Sequence, residues 1–275
     1  MTLPEAKLGI IGTGNMGSAI IRGVLQAGLF APNEIAACDV IPEKMAELAK
    51  ELSLTIKPSA SQTAKASQIV LIAVKPQTME QCLGELKNAV TPDHLVLSIA
   101  AGISTSYIEK RLIEGARVIR IMPNTPALVG AGATAISAGM HASEADMAQA
   151  ERIFAGIGKV YRFPETLMDA VTAVSGSGPA YLFYFAECLT GAAVQSGLPQ
   201  DSAADLVAQT LFGAAKLLRE SGEKAETLRA KVTSPGGTTE AALKVMHAGS
   251  FHEIIAAAVQ SAVKRGQELG GVKKN

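Results

Sequence analysis

The chain has 275 residues, which at roughly 150 residues per domain predicts two domains and a sizeable core. Its 25 Lys and Arg balance 25 Asp and Glu, and no Lys/Arg block stands anywhere, which argues against a nucleic-acid binder. With 48% hydrophobic and only 18% charged residues, a disordered chain is excluded, and the many small uncharged side chains suggest surface that an oligomer would cover.

Aromatic residues are 4% with no Trp, too few for a carbohydrate- or base-stacking platform. The longest clean apolar run, Ile69–Val74, is far shorter than the ~18 residues a membrane span needs. No leader pattern opens the chain, so a cytoplasmic protein with no membrane partner is expected. Cys38, Cys82 and Cys188 form no CxxC pair and read as free thiols of a reducing compartment. The four histidines are scattered, and His247 and His252 do not share a helix face, so no metal site is expected.

From Lys7 to about Phe163, short apolar runs alternate with helical patterns. Strands are predicted at Leu8–Ile11, Glu34–Cys38, Ile69–Val74, Leu95–Ile99 and Val118–Met122. Helices are predicted between them at Met16–Gln26, Pro42–Glu51, Thr78–Asn88 and Thr105–Ile113. Continuous runs such as Ile69–Val74 fit strands buried on both faces, and the alternation defines α/β architecture with a Rossmann-type, doubly wound parallel sheet. Thr134–Ser137 and Lys159–Phe163 extend the sheet, with a helix between them capped by Ser143 and Asp146.

After Phe163-Pro164 the strands stop. Pro179–Ser196 reads as a helix ended by Gly197, and Pro199 opens another at Ser202–Glu220. Further helices follow at Ala225–Lys231, Thr239–His247 and Phe251–Leu269. The expected division is a dinucleotide-binding domain at residues 1–164 and an all-helical domain at residues 165–275.

The segment Leu8–Gly17 is a strand running into G-x-G-x-x-G and a helix. Gly12 permits the turn, Gly14 lets backbone approach a pyrophosphate, and Gly17 lets the helix pack on the strand. Asp39 follows 22 residues past Gly17, near the end of the second strand, where a carboxylate holds ribose hydroxyls and repels a 2′-phosphate. The alternative for Asp39 is a solvated loop carboxylate.

Ligands of such sheets lie beyond the strands' carboxyl ends. Ala73-Val74-Lys75-Pro76, Ser98–Gly102 and Met122–Pro126 stand at three of those ends, with small residues and Pro that leave room for a flat ring. Lys75 is placed either to steer a phosphate or to cap the sheet.

Two loops of the helical half set Gly and hydroxyl residues before a helix. These are Ser175-Gly176-Ser177-Gly178-Pro179 and Thr233-Ser234-Pro235-Gly236-Gly237-Thr238-Thr239. Free N–H groups there favour an anion, and a carboxylate suits the second loop, with donors at Ser234, Thr238 and Thr239. Plain N-capping by Ser or Thr is the alternative. Reduction of a ketone requires a proton donor such as Lys or His, and alcohol oxidation the matching acceptor. The helix Pro179–Ser196 contains no Lys, Arg or His, and its titratable groups are Tyr181, Tyr184, Glu187 and Cys188. A C=N acceptor, protonated from water, relaxes that demand.

The runs Val171–Tyr181 and Val232–Thr239, with Ala73–Pro76 and Pro123–Pro126 in the same order, resemble pyrroline-5-carboxylate reductase from Leu8 to about Leu269. The Ser-Pro-Gly-Gly-Thr-Thr run is the specific part of the likeness. The resemblance implies NADPH- or NADH-dependent reduction of 1-pyrroline-5-carboxylate to L-proline. It implies a helical dimerisation domain, an active site at the dimer interface, and rings of dimers.

Carried over by position, Ile11, Gly12, Thr13, Gly14, Asn15 and Met16 would wrap the pyrophosphate, with Asp39 on the ribose. Ala73, Val74, Lys75, Pro76, Ala100 and Ala101 would flank the nucleoside and nicotinamide, with Asn124 at the nicotinamide edge. Ser234, Gly237 and Thr238 would hold the substrate carboxylate, and the Thr239 hydroxyl would reach the ring nitrogen as the catalytic group. The sequence departs from the family at Ala60, where many relatives carry Asn against the cofactor. A hydroxyacid dehydrogenase, disfavoured by the missing Lys, and a nucleotide sensor without turnover are the competing readings.

Overall fold

The computed structural model describes residues 7–270, apart from the side chains of Pro42 and Lys44. Its strands are β1 (Leu8–Ile11), β2 (Ile35–Cys38), β3 (Thr55–Ile56), β4 (Ile69–Ile72), β5 (Leu95–Ser98), β6 (Arg117–Met122), β7 (Gly132–Ala138) and β8 (Gly158–Arg162). They form one sheet in the order β3-β2-β1-β4-β5-β6-β7-β8. The first six are mutually parallel, and β7 pairs antiparallel to β6. The β6–β7 connection contains only the 3-10 turn Thr125–Val129, too short for a parallel crossover of about a dozen residues or more. β8 then runs parallel to β7. The sheet is therefore doubly wound as expected, with a reversed edge pair.

The interleaved helices are α1 (Asn15–Gln26), α2 (Pro42–Leu52), α3 (Ala60–Lys65), α4 (Met79–Leu86), α5 (Thr105–Glu109) and α6 (Glu144–Ala155). Why the apolar runs are continuous is visible in the packing. Leu8, Ile10, Ile69, Leu71, Leu95 and Leu97 join one core with Ile20, Ile21, Val24, Ile153 and Phe154. The alternate positions Ile11, Val70, Ile72 and Val96 join a second core with Ala64, Met79, Leu83 and Ile108. A period of two thus feeds a helix layer on each face, and every position must be apolar.

Two short elements and the end of one helix differ most from the sequence pattern. The two-residue β3 and the helix α3 have too few apolar positions to announce themselves, and α3 owes its start to Ser59, whose hydroxyl accepts from Gln62 N at 3.2 Å. α5 stops at Glu109 rather than Ile113, because the next amides turn back, Arg111 N donating to Ile108 O at 3.0 Å. Ser143 and Asp146 do form the anticipated reciprocal cap of α6.

Beyond β8 come α7 (Met168–Val171), a single π turn at Thr172–Gly176, α8 (Gly178–Gln195), α9 (Gln200–Glu220), α10 (Ala225–Lys231), α11 (Thr238–Ala248) and α12 (Phe251–Leu269). Two compact units result, one through Ser177 together with the stretch from Ala262 onward, the other Gly178–Ser261. The change from strands to helices at Pro164 and the limit of the first unit therefore fall at different residues. Within the first unit the end of α12 closes on the loop after β5. A Cβ on Gly102, whose φ is +77°, would stand 3.0 Å from Gly266 O and 3.1 Å from Gly270 N.

In the second unit α8 lies against α9, and only Ala203 and Val207 are buried among its described residues. Leu182, Phe183, Tyr184, Phe212 and Ile254 are all more than half exposed. Exposed apolar faces of this extent mark a surface that another protein surface covers. No helix among the described residues is long and apolar enough to cross a membrane.

Candidate active site

The glycine fingerprint is built as its chemistry requires. Gly12 has φ +97°, and a Cβ there would meet Ala73 O at 2.7 Å; a Cβ on Gly17 would meet Gly12 O at 2.1 Å. Those two glycines let β1, α1 and the end of β4 pack together. Gly14 is different: a Cβ there would find nothing within 4 Å, so its missing side chain serves what approaches from outside. Gly14 is also the N-cap of α1, with no side-chain cap and no acidic residue in the first turn. The amides of Asn15 and Met16 are thus left for an anion, and the positive helix terminus faces it.

Asp39 lies at the end of β2, as expected, but its carboxylate already has work inside the protein. Oδ2 accepts from Thr13 N at 2.5 Å and from the Thr13 hydroxyl at 3.1 Å, and Oδ1 accepts from Ile41 N at 3.0 Å. Three donors leave a carboxylate room for about one more. Asp39 therefore fixes the turn that follows Ile11.

The ends of β4, β5 and β6 stand beside this turn in the sheet. Ala73 N donates to Ile11 O at 2.8 Å, tying the Ala73–Pro76 segment to β1. The Lys75 ammonium is exposed and has no ion pair among the described residues, so steering an anion is open to it. Its carbonyl accepts from the Thr78 amide and hydroxyl, each at 3.0 Å. Ala100 is buried and Ala101 half-buried ahead of Gly102. The amide of Asn124 is engaged at both ends: Oδ1 accepts from Ala133 N at 2.8 Å, and Nδ2 donates to Ser175 Oγ at 3.3 Å.

The two Gly/hydroxyl loops part company. Ser175–Pro179 is not an open loop before a helix. α7 continues into the π turn Thr172–Gly176, and Ser177 N donates back to Thr172 O at 2.8 Å. The Ser177 amide is thus spent on the chain itself. Single π turns are rare and concentrate at functional positions. This one, with β7 and β8, walls an apolar cavity of about 380 Å³ lined by Ala133, Ala135, Phe163, Val171, Val174 and Ser175 among others.

The second loop keeps free the amides that open its helix. Gly237, not a hydroxyl residue, is the N-cap of α11, and no side chain caps it. The hydroxyls of Ser234, Thr238 and Thr239 have no hydrogen-bond partner among the described residues, which removes the plain N-capping alternative. Gly236 takes φ +71° to turn the loop. Its amide donates to Glu240 Oε2 at 3.0 Å, and Gly237 N donates to Ser234 O at 3.0 Å. Thr238 and Thr239 open the helix with their amides and hydroxyls unused, donors suited to a carboxylate and to a ring nitrogen.

Ala60 is buried as the first residue of α3, so it offers no polar group to a ligand. Among the described residues no group of three or more His, Cys, Asp or Glu could hold a metal. Sequence reasoning passed over Arg120, Glu165 and Asp169. Arg120 is 5% exposed in the middle of β6, its guanidinium 2.7 Å from Asp169 and 3.7 Å from Glu165. The signal was present, since an Arg inside a buried apolar strand requires anionic partners.

Fold and glycine turn together define a dinucleotide-dependent oxidoreductase, whose helical half carries a loop with unpartnered hydroxyls at an uncapped helix start. The pyrroline-5-carboxylate reductase dimerisation family matches residues 165–269, and the coenzyme F420-dependent NADP oxidoreductase family matches residues 7–102. The pyrroline-5-carboxylate reductase of Methanosarcina acetivorans is 40% identical over 98% of this chain and 99% of its own length. That of Escherichia coli is 36% identical over 96% and 98%. A pyrroline-5-carboxylate reductase structure from Coxiella burnetii superposes with TM-score 0.88 at 36% identity, covering 96% of this chain and 98% of that one. The Plasmodium falciparum enzyme with NADP bound gives TM-score 0.87 at 29% identity over 98% and 100%. The chain belongs to the pyrroline-5-carboxylate reductase family.

Proposed function

We propose that this protein reduces 1-pyrroline-5-carboxylate to L-proline, the last step of proline biosynthesis, with NADPH or NADH. The observation that carries the reading is the start of α11, where Gly237 caps the helix and the Ser234, Thr238 and Thr239 hydroxyls stay free.

The nucleotide fits the first unit, because Gly14 leaves open space in front of uncapped helix amides. Ile11–Met16 hold its pyrophosphate, Asp39 a ribose hydroxyl, and Ala73–Pro76 with Ala100, Ala101 and Asn124 the nicotinamide half. Bound there, the nicotinamide supplies the hydride that the C=N carbon of the ring accepts. The Thr238 amide and the Ser234 hydroxyl hold the substrate carboxylate at the positive end of α11, with Gly237, whose own amide donates to Ser234 O, capping the helix beside it. The Thr239 hydroxyl bonds the ring nitrogen, which takes its proton from water, so the site works without a Lys or His beside the reacting carbon.

The dinucleotide-binding function is assigned to residues 1–164 and the dimerisation and substrate functions to residues 165–275. The working molecule is a cytoplasmic homodimer formed through the helical unit, with dimers gathered into a ring. The exposed apolar faces of α8, α9 and α12 support that assembly.

Purified protein is expected to oxidise NADPH or NADH when 1-pyrroline-5-carboxylate is added and to yield proline. No turnover with either nucleotide rejects the reading, and nucleotide binding without turnover favours a sensor. A stable, active monomer in light scattering rejects the assembly.

A further inference from the structure

Arg120 and Met122 in the carboxyl half of β6, with Asn124 two residues beyond its end, hold one downstream segment. Arg120 Nη2 donates to Asp169 Oδ1 at 2.7 Å, and its Nη1 lies 3.7 Å from Glu165 Oε1. Glu165 is itself fixed, accepting from the Thr105 amide and the Thr105 hydroxyl, each at 2.7 Å. The Met122 methyl closes on Gly176, where a Cβ would stand 2.3 Å from it. Asn124 donates to Ser175 at 3.3 Å. The last two contacts fall on the π turn Thr172–Gly176, which follows the Glu165 and Asp169 contacts.

A staple that only glued this segment down would be better made of apolar side chains. A guanidinium with side-chain exposure of 6% has lost its water, and a packed aliphatic group in its place escapes that cost. What the charged network adds is direction. The planar fork of Arg120 faces two carboxylates, and Glu165 is tied in turn to α5, so the start of the segment is fixed in position and rotation. The wider turn that follows then brings Ser175 to Asn124 at the strand end.

We propose that Arg120, acting through Asp169 and Glu165, is a positioning residue for the reductase reaction. It sets the π turn so that Ser175 orients the Asn124 amide at the carboxyl end of β6. The proposal rests on the function proposed above, and on Asn124 standing beside the nicotinamide.

The test is kinetic and uses the full chain. The unaltered protein must first turn over 1-pyrroline-5-carboxylate. Its failure overturns the functional reading and this proposal with it, whereas turnover lets the proposal fail alone. Arg120→Gln and Asp169→Asn are each expected to lower kcat by about ten- to a hundredfold, as a small misplacement at the reacting atoms does, with nucleotide affinity changed less than about threefold. Arg120→Lys keeps the charge without the fork and should fall between Arg120→Gln and the unaltered protein.

Asp169→Asn changes no volume, and it carries the test if Arg120→Gln does not fold. Adding Asn124→Ala to Asp169→Asn should lower kcat little beyond the larger single loss, because both act on one turn. Normal kcat in a variant that merely melts lower, or losses that multiply in the double variant, would overturn the proposal and leave Arg120 a structural ion pair.

Discussion

Replacing Gly17 and Gly14 by Ala should give opposite phenotypes, although both belong to one motif. A Cβ on Gly17 would sit 2.1 Å from the Gly12 carbonyl oxygen, where ordinary contact begins at 3.4 Å. The obstacle is backbone of the phosphate-binding turn, so α1 must move away from β1. Overpacking of this kind costs roughly 1–3 kcal/mol, and a backbone clash belongs at or above the upper end. Ala in a helix interior recovers about 0.8–1 kcal/mol over Gly. The net loss is about 2 kcal/mol, or roughly 4–8 °C in Tm for a unit of this size.

At Gly14 the space is open and φ is −61°, so Ala costs only about 0.5 kcal/mol as a poorer N-cap. Its methyl instead occupies the approach of the pyrophosphate, and nucleotide affinity should fall about tenfold or more. Thermal melts without nucleotide and calorimetric titration with it separate the two effects. An unchanged melt for Gly17→Ala, or a Gly14→Ala protein that binds nucleotide normally, would refute the division of labour between these glycines.

Thr239→Ala should lower kcat far more than it weakens nucleotide binding, and equal losses would contradict a role at the ring nitrogen. Asp39→Ser should raise the ratio of kcat/KM for NADPH over NADH by about tenfold, because a fixed anion beside a 2′-phosphate is removed; a constant ratio would place the discrimination elsewhere. Burial pushes the Cys82 thiol up to about 12, so at pH 8 it should resist alkylation in the native protein and react once the chain unfolds. The neutral thiol favoured by the fold also implies stability that falls as pH rises from about 9 toward 12. An alkaline melt series in which Cys82→Ala does not flatten this decline would contradict that linkage.

The glycine fingerprint, the sheet core and the uncapped glycine–hydroxyl loop before α11 were legible because each rests on local rules. Gly12 and Gly17 are demanded by a turn and a close approach. The runs at β1, β4 and β5 are demanded by burial on both faces, and Gly197 by a helix end at φ +101°. These constraints act over a few residues and leave a pattern in the letters. The direction of β7 was not legible, because it depends on a short connection having no helix to cross over. Nor was the fate of Ser175–Pro179, which reads as a Gly/hydroxyl loop and in fact runs from the end of the π turn Thr172–Gly176 into α8. The Ser177 amide is taken by the Thr172 carbonyl behind it, and the shape follows contacts with Met122 and Asn124, some fifty residues earlier.

The sequence by itself determined the layered dinucleotide fold, the glycine turn before α1 and the glycine–hydroxyl loop before α11. All three follow from periodicity and from backbone conformations only Gly tolerates. Only the tertiary structure decided that Asp39 braces Thr13, that Asn124 is held by Ser175, and that Arg120 has two carboxylates for partners. Those are distances between residues far apart in the chain, and a buried charge announces only that partners must exist, not which ones the fold will bring.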